Sequence, residues 1–327
     1  MKSSPTVVIK KLKGSSESNR YFSMFMISKK LGIAISLLLA IVGNEASAQT
    51  LRIGITLHPY YSFVANIVGD RAETIPMIDG DANPHGYTPQ PADMMRTTSM
   101  DVLVVNGIGH DSWAFEILDA AGMRDKIPLI YANDGVSLIP VTGDNSGEKV
   151  VNPHTFISTT AAIQQIYSIA RVLGELDPNN ADFFRNNARQ YALEIRKLRA
   201  DFDTKVSSTN LSNFVSATMH SGYDYILQEL GLQVSAVIEP RHGVEPTARQ
   251  MADTIDRINL ANVNVLFAEK YFASRLSDTI QEATDVGMYS ISHISSGPYT
   301  SDKFVNEMRE NLDTLAQAIN DVAQDAS

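Results

Sequence analysis

The chain has 327 residues and no cysteine. That absence excludes disulfides, thiolate catalysis, iron–sulfur clusters and zinc sites built on thiolates. It also excludes a bacterial lipid-anchored form, which needs a cysteine at the processing site. Tryptophan is nearly missing too, with Trp113 alone. Basic residues are in deficit, 27 Lys and Arg against 37 Asp and Glu, for a net charge of −10. A nucleic-acid binder needs a basic face, so that class is disfavoured, whereas a cationic ligand is compatible. The combination of low apolar content and high charge that marks disorder is lacking, because 44% of residues are hydrophobic and 20% charged. The length predicts about two domains with a core of useful size.

The first 48 residues read as a leader rather than as part of the fold. Lys29 and Lys30 form a basic region, Leu31 to Gly43 is an apolar run of 13, and Ala46-Ser47-Ala48 is a small-residue processing pattern. This is the pattern of a secretory signal peptide cleaved after Ala48. Thirteen residues are too few to cross roughly 30 Å of hydrocarbon. The polar stretch ahead of Met24 is long for such a leader, which leaves Met1, Met24 and Met26 as starts. Removing the leader takes seven basic and two acidic residues and moves the net charge from −10 to −15. A secreted, cysteine-free, acidic chain points to a bacterial periplasm.

Beyond the leader, β-branched apolar runs alternate with helical patterns. Strands are expected at Arg52–Leu57, Thr74–Ile78, Asp101–Val105 and Pro128–Tyr131, then at Asn213–Met219, Gln233–Ile238, Val263–Ala268 and Met288–Ser292. Strands spaced this way, with helices between, predict βαβ units and parallel sheets. The fold class is therefore α/β, with two similar lobes of four strands each. Between them, Phe184, Ala188, Tyr191, Ile195, Leu198 and Phe202 recur at steps of four and three, one apolar helical face. The helix would start after Asp177-Pro178, stop near Ser207 and measure roughly 40 Å, enough to brace both lobes. The resulting division is 1–48 leader, 49–178 first lobe, 179–208 linking helix and 209–327 second lobe. Asp144 to Lys149 reads as a polar surface loop.

Seven histidines punctuate this pattern, and several fall at the carboxyl ends of expected strands, where open α/β sheets bind ligands. His220 follows one strand and His293 closes another. His85 lies in the loop leaving a third, and His154 precedes a helix. Imidazole suits zinc, but dispersed histidines without compact spacing, taken one at a time, read as surface or hydrogen-bonded residues before they read as ligands. His58 and His110 each open an expected helix and read as capping or packing residues. Trp113 reads as packing.

Local words sharpen the reading. The sequence contains Asn83-Pro84-His85-Gly86-Tyr87-Thr88-Pro89, Asn152-Pro153-His154-Thr155-Phe156 and Met219-His220-Ser221-Gly222-Tyr223-Asp224-Tyr225. It also contains Asn106-Gly107-Ile108-Gly109, Glu239-Pro240 and Glu245-Pro246-Thr247. In their order and spacing these words resemble the zinc/manganese-type solute-binding proteins of bacterial metal ABC importers, the ZnuA-like group. The resemblance runs from about Arg52 to Ile319. It implies two α/β lobes joined by one long rigid helix, one metal ion in the cleft between them, and His85, His154 and His220 as ligands. Its fourth ligand is usually an aspartate late in the chain. Here Ile291-Ser292-His293-Ile294-Ser295 occupies that place, so His293 is the expected substitute. Glu269, His242 or water are the alternatives.

Two further departures from the group stand out. The stretch from Asp134 to Val151 has no histidine, so a His-rich loop is missing. Asn152 replaces a customary aspartate. Glu269 and Glu245 are candidate acceptors behind a ligand imidazole. Neutral imidazoles favour zinc over manganese as the transported ion, because manganese sites are richer in carboxylates. The expected activity is capture and delivery to a membrane permease by a monomer, without catalysis. Two rivals remain at this stage: a periplasmic zinc hydrolase with three histidines and a water, and an organic-solute receptor with an aromatic or arginine-lined cleft.

Overall fold

Two short, fully buried segments set the centres of two sheets in the computed structural model. The structure describes residues 50–140, 150–239, 247–270 and 275–325. The expected leader and the polar segment 144–149 lie outside the described residues. Val102–Val105 (β3) is buried at every position, as is Ser216–His220 (β5). Strands buried on both faces are the mark of parallel sheets covered by helices.

The first sheet comprises Leu51–Ile55 (β1), Ala72–Pro76 (β2), β3 and Leu129–Tyr131 (β4), in the order β2-β1-β3-β4. The second comprises β5, Val234–Glu239 (β6), Val265–Glu269 (β7) and Gly287–Ile291 (β8), in the order β6-β5-β7-β8. All pairings are parallel. The same topology therefore occurs twice. In each sheet the chain leaves the first strand to one side, then crosses back to the other, which opens a crevice at the carboxyl ends of β1 and β3, and of β5 and β7.

All eight expected strands exist, with shifted ends. The second begins two residues earlier than expected and stops at Pro76, whose ring nitrogen carries no hydrogen for the ladder. β2 is an edge strand, where proline is tolerated. The fifth begins at Ser216 rather than Asn213, because Phe214 N–H closes a turn on the Leu211 carbonyl at 3.0 Å. It runs through His220, so this histidine is the last residue of the strand rather than the one after it.

The helices are His58–Val68 (α1), Pro91–Thr97 (α2), Ser112–Ala120 (α3), Thr159–Leu176 (α4), Ala181–Val206 (α5), Asp224–Glu229 (α6), Ala248–Leu260 (α7), Arg275–Ala283 (α8) and Lys303–Asp325 (α9). The long linking helix is α5, of 26 residues. Its buried face is Phe184, Ala188, Tyr191, Ala192, Ile195, Leu198 and Phe202, the periodic set read from the sequence plus Ala192. This face packs on α1 and α4 from the first half and on α9 from the end of the chain. One continuous apolar core results, running from Ile53 and Phe63 through Phe184 and Ile195 to Phe267 and Phe304. Truncating a fully buried ring such as Phe184 in such a core costs about 3–5 kcal/mol. A second, smaller cluster covers the outer face of the second sheet, where Ala217 and Met219 meet Met251 and Ile258 of α7 and Ile280 of α8. The alternation along β5 turns Ser216, Thr218 and His220 to the opposite face.

Candidate metal centre

Four histidines from four separate segments converge where the carboxyl ends of the two sheets meet. One ring nitrogen from each of His85, His154, His220 and His293 lies within 4.8 Å of the other three. His154, His220 and His293 are buried, and His85 is partly exposed.

Each is held by its neighbourhood. His85 sits on a 3-10 turn, Pro84–Gly86, started by the Asn83 side chain, whose oxygen accepts the His85 backbone N–H at 3.0 Å. Trp113 of α3 donates its indole N–H to the Pro84 carbonyl at 3.0 Å. Tyr87 rests edge-on against Trp113 and donates to the Asp93 carboxylate at 2.7 Å. Trp113 is thus packed, as expected, and it also pins the His85 turn.

His154 caps a second 3-10 turn, Thr155–Ile157. Its Nδ1 lies 2.8 Å from Asn152 Oδ1, and Asn152 Nδ2 donates to the Ser221 carbonyl at 2.7 Å. An amide oxygen only accepts, so Nδ1 of His154 carries the hydrogen and Nε2 is left as a lone-pair donor. Asn152 therefore does with a neutral amide what an aspartate would do with a charge. Behind it, Asn106 Nδ2 donates to the Pro153 carbonyl at 3.0 Å. Burial first, then the surrounding histidines, hold His154 well below the ordinary imidazole range, so it stays neutral and competent to bind a cation.

His220 is fixed by the β5 ladder itself, paired with Glu239 of β6. Gly222 follows in the turn Ser221–Tyr223, and a methyl group there would meet His293 Nε2 at 2.5 Å and His220 Cδ2 at 2.9 Å. A glycine is needed for the two rings to pack. His293 lies two residues beyond β8, with Nδ1 3.2 Å from Ser295 Oγ. The Asn311 side chain of α9 clamps Ser292, accepting its N–H at 2.6 Å and donating to its carbonyl at 2.8 Å. Ile294 then turns the chain with φ of 57°, which is rare for a β-branched residue and marks a segment held by its surroundings.

The spacing suits a shared ion. Nitrogens bound tetrahedrally at about 2.05 Å lie about 3.3 Å apart. His220 Nε2 and His154 Nε2 are 3.3 Å apart.

A model of the zinc-uptake complex component A periplasmic family matches residues 53–318. The chain belongs to that family. Among solved structures, the substrate-binding protein FpvC from Pseudomonas aeruginosa in complex with Mn2+ is 47% identical. It superposes with a TM-score of 0.79, covering 84% of this chain and 99% of that one. FpvC in complex with Ni2+ gives 47% identity and a TM-score of 0.78 over 84% and 98% of the two chains. The manganese ABC transporter substrate-binding lipoprotein PsaA of Streptococcus mitis is 24% identical over 307 residues, 89% of this chain and 99% of its own. The high-affinity zinc uptake system protein ZnuA of Bacillus subtilis is 22% identical over 310 residues, 88% and 95%. The resemblance read from the histidine words is thus shown, as is the two-lobed α/β fold of this zinc-uptake family.

The remaining candidates separate. His58 opens α1 and stands apart from the four-histidine group. Its Nε2 lies 2.9 Å from the Gly297 carbonyl and its ring stacks on Tyr299 at 4.0 Å. Burial pushes its pKa down to about 4. Glu269 is buried at the end of β7 but is not in the group that shares donors within 4.8 Å. His242 and Glu245 lie outside the described residues. His110, read from the sequence as a helix-start residue, is buried beside the cluster, its ring centroid 4.2 Å from that of His85. The available signal was its position: it follows β3 through a glycine turn, beyond the carboxyl end of a strand as His293 does.

Proposed function

We propose that this chain captures one divalent first-row transition-metal ion in the periplasm, through His85, His154, His220 and His293, and delivers it to the membrane permease of an ABC importer. The observation that carries this reading is the convergence of four imidazoles, drawn from both halves of the chain, with donor atoms within 4.8 Å of one another. Family membership supports it, and so do relatives named for zinc and manganese uptake.

Zinc is the cargo this donor set serves best. Four neutral nitrogens complete a tetrahedral shell for a borderline-soft ion, while manganese gains from carboxylate oxygens that the four-histidine group lacks. The same completeness weighs against a hydrolase, whose zinc needs an open position for water. An organic-solute receptor would line its cleft with groups other than convergent imidazoles.

The test is elemental analysis of protein purified without chelator, followed by competitive titration. One ion per chain with zinc tightest is the expected result, and no metal, or a stoichiometric preference for manganese, overturns it. His293→Ala is expected to weaken zinc binding, and His293→Asp to narrow the advantage of zinc over manganese by supplying a hard oxygen.

A further inference from the structure

The ring nest around the site holds a fifth imidazole. His85, His154 and His293 form a triangle with centroid separations of 5.2, 5.2 and 4.6 Å. His220 packs on all three at 5.3, 4.8 and 5.5 Å. His110 packs on the same three at 4.2, 4.9 and 5.8 Å. Imidazoles bound to one ion at about 2.05 Å, with bond angles from about 80° to 130°, have centroids roughly 4 to 6 Å apart. His110 meets that condition as well as His220 does.

Its backbone belongs to a glycine-rich turn. The four other donors lie within 4.8 Å of one another, and His110 is not in that set. It sits on the turn Asn106–Asp111, where Gly107 and Gly109 have φ of 75° and 120° and nothing lies within 4 Å of where a side chain on Gly109 would stand. Glycine gives this segment conformations closed to other residues. Asp111 anchors its far end, accepting from Thr56 Oγ1 at 2.7 Å and from the backbone N–H groups of Asn106 and Gly107 at 2.6 and 3.0 Å. His110 stands beside that anchor, on a turn whose two ends Asp111 ties together.

We propose that His110 is an auxiliary fifth ligand that sets which metals the site accepts. Zinc is satisfied by four donors. Nickel and cobalt, which take imidazole readily and accept five or six donors, gain a fifth nitrogen from His110. The residue therefore broadens the cargo from zinc toward these ions. The inference rests on the metal-receptor reading above.

The test loads the purified protein with Co2+ as a spectroscopic probe and compares wild type with His110→Phe and His110→Gln. Phe keeps the ring volume without a donor, and Gln keeps a polar head, so agreement between them separates donor loss from packing. Wild type is expected to give the weak visible absorption and five-nitrogen X-ray absorption signature of five-coordination. Both variants are expected to give the intense bands of a tetrahedral ion. In nickel–zinc competition both should shift about tenfold toward zinc, the scale of losing one supporting contact at a metal. An unchanged coordination number and nickel-to-zinc ratio in the variants overturns the proposal, as does a shift in one variant alone. Failure of wild type to bind any metal is a separate outcome that overturns the metal-receptor reading with it.

Discussion

The two halves share one strand order yet hold their histidines by different means. In the second half the backbone does the positioning. His220 is the last rung of the central strand, and His293 lies two residues beyond β8, clamped through Ser292 to Asn311. In the first half, His85 and His154 sit on 3-10 turns away from any strand, secured by side chains: Trp113 on Pro84, Asn152 on His154 and Asn106 on Pro153. Repeating a topology fixes where a site forms. It leaves each half free to choose how rigidly it presents its donors.

The sharpest way to break this contrast is to remove one donor of each kind. On the proposed reading, His220→Ala takes away a buried, strand-held imidazole and is expected to weaken zinc binding about 1,000-fold, or about 4 kcal/mol. His85→Ala removes a partly exposed imidazole on a short turn, where water can take its place, and is expected to cost only about 10- to 100-fold. Competitive titration against a chromophoric chelator reads both, and equal losses would dissolve the distinction.

A second effect, nearly as large, appears in the apo-protein where the halves grip each other away from the metal. His58 of α1 is bonded to the Gly297 carbonyl and stacked on Tyr299. Its folded pKa of about 4 lies below the ordinary 6.5 because burial disfavours the cation. The unfolded chain therefore binds this proton first. The stability it contributes is fully present above pH 6.5 and is lost as pH falls toward 4, by about 3 kcal/mol in all. Denaturant titration at pH 7.5 and 4.5 should show a smaller pH dependence in His58→Phe than in wild type. An identical dependence would remove His58 from this role.

Next in size is the tie that serves the first half. Asn152→Ala strips the acceptor from His154 and the donor to Ser221, and zinc affinity is expected to fall about 10- to 100-fold. Asn152→Asp keeps the acceptor and should recover most of it. The smallest effect tests whether surface charge joins the long helix to the second half. Lys205 of α5 meets Asp313 of α9 at 2.5 Å, with both side chains about half exposed. Lys205→Ala is expected to cost less than about 1 kcal/mol and to leave metal affinity unchanged. A larger loss would mean that charge, rather than the apolar face of α5, holds the halves together.

Much of this was legible in the sequence, for physical reasons. β-branched runs bounded by turns exposed all eight strands, and the four-and-three spacing from Phe184 to Phe202 exposed α5, because apolar period follows directly from burial. His220 and His293 were legible because they end or follow strands, and His85 and His154 because of the Pro-His words that carry them. His110 also follows a strand but was read as a helix start, since the turn Gly107–Gly109 conceals how far the chain folds back toward His85. Asn152 looked like a lost carboxylate until its amide was seen to serve His154 and Ser221 at once. The partner of His58 is Gly297, 239 positions along the chain, a distance at which local pattern carries no information.

One feature of the first half turns the molecule into its own instrument. The single tryptophan donates its indole N–H to the carbonyl immediately before His85, beneath the ring of Tyr87. Its fluorescence therefore reports from one place, free of overlap from any other indole in the chain. On the proposed reading, an ion held by His85 would sit one residue from that carbonyl and is expected to alter the polarity the indole senses. The colour and lifetime of the emission are then expected to follow loading and release in real time, in unlabelled protein, from the His85 side of the site.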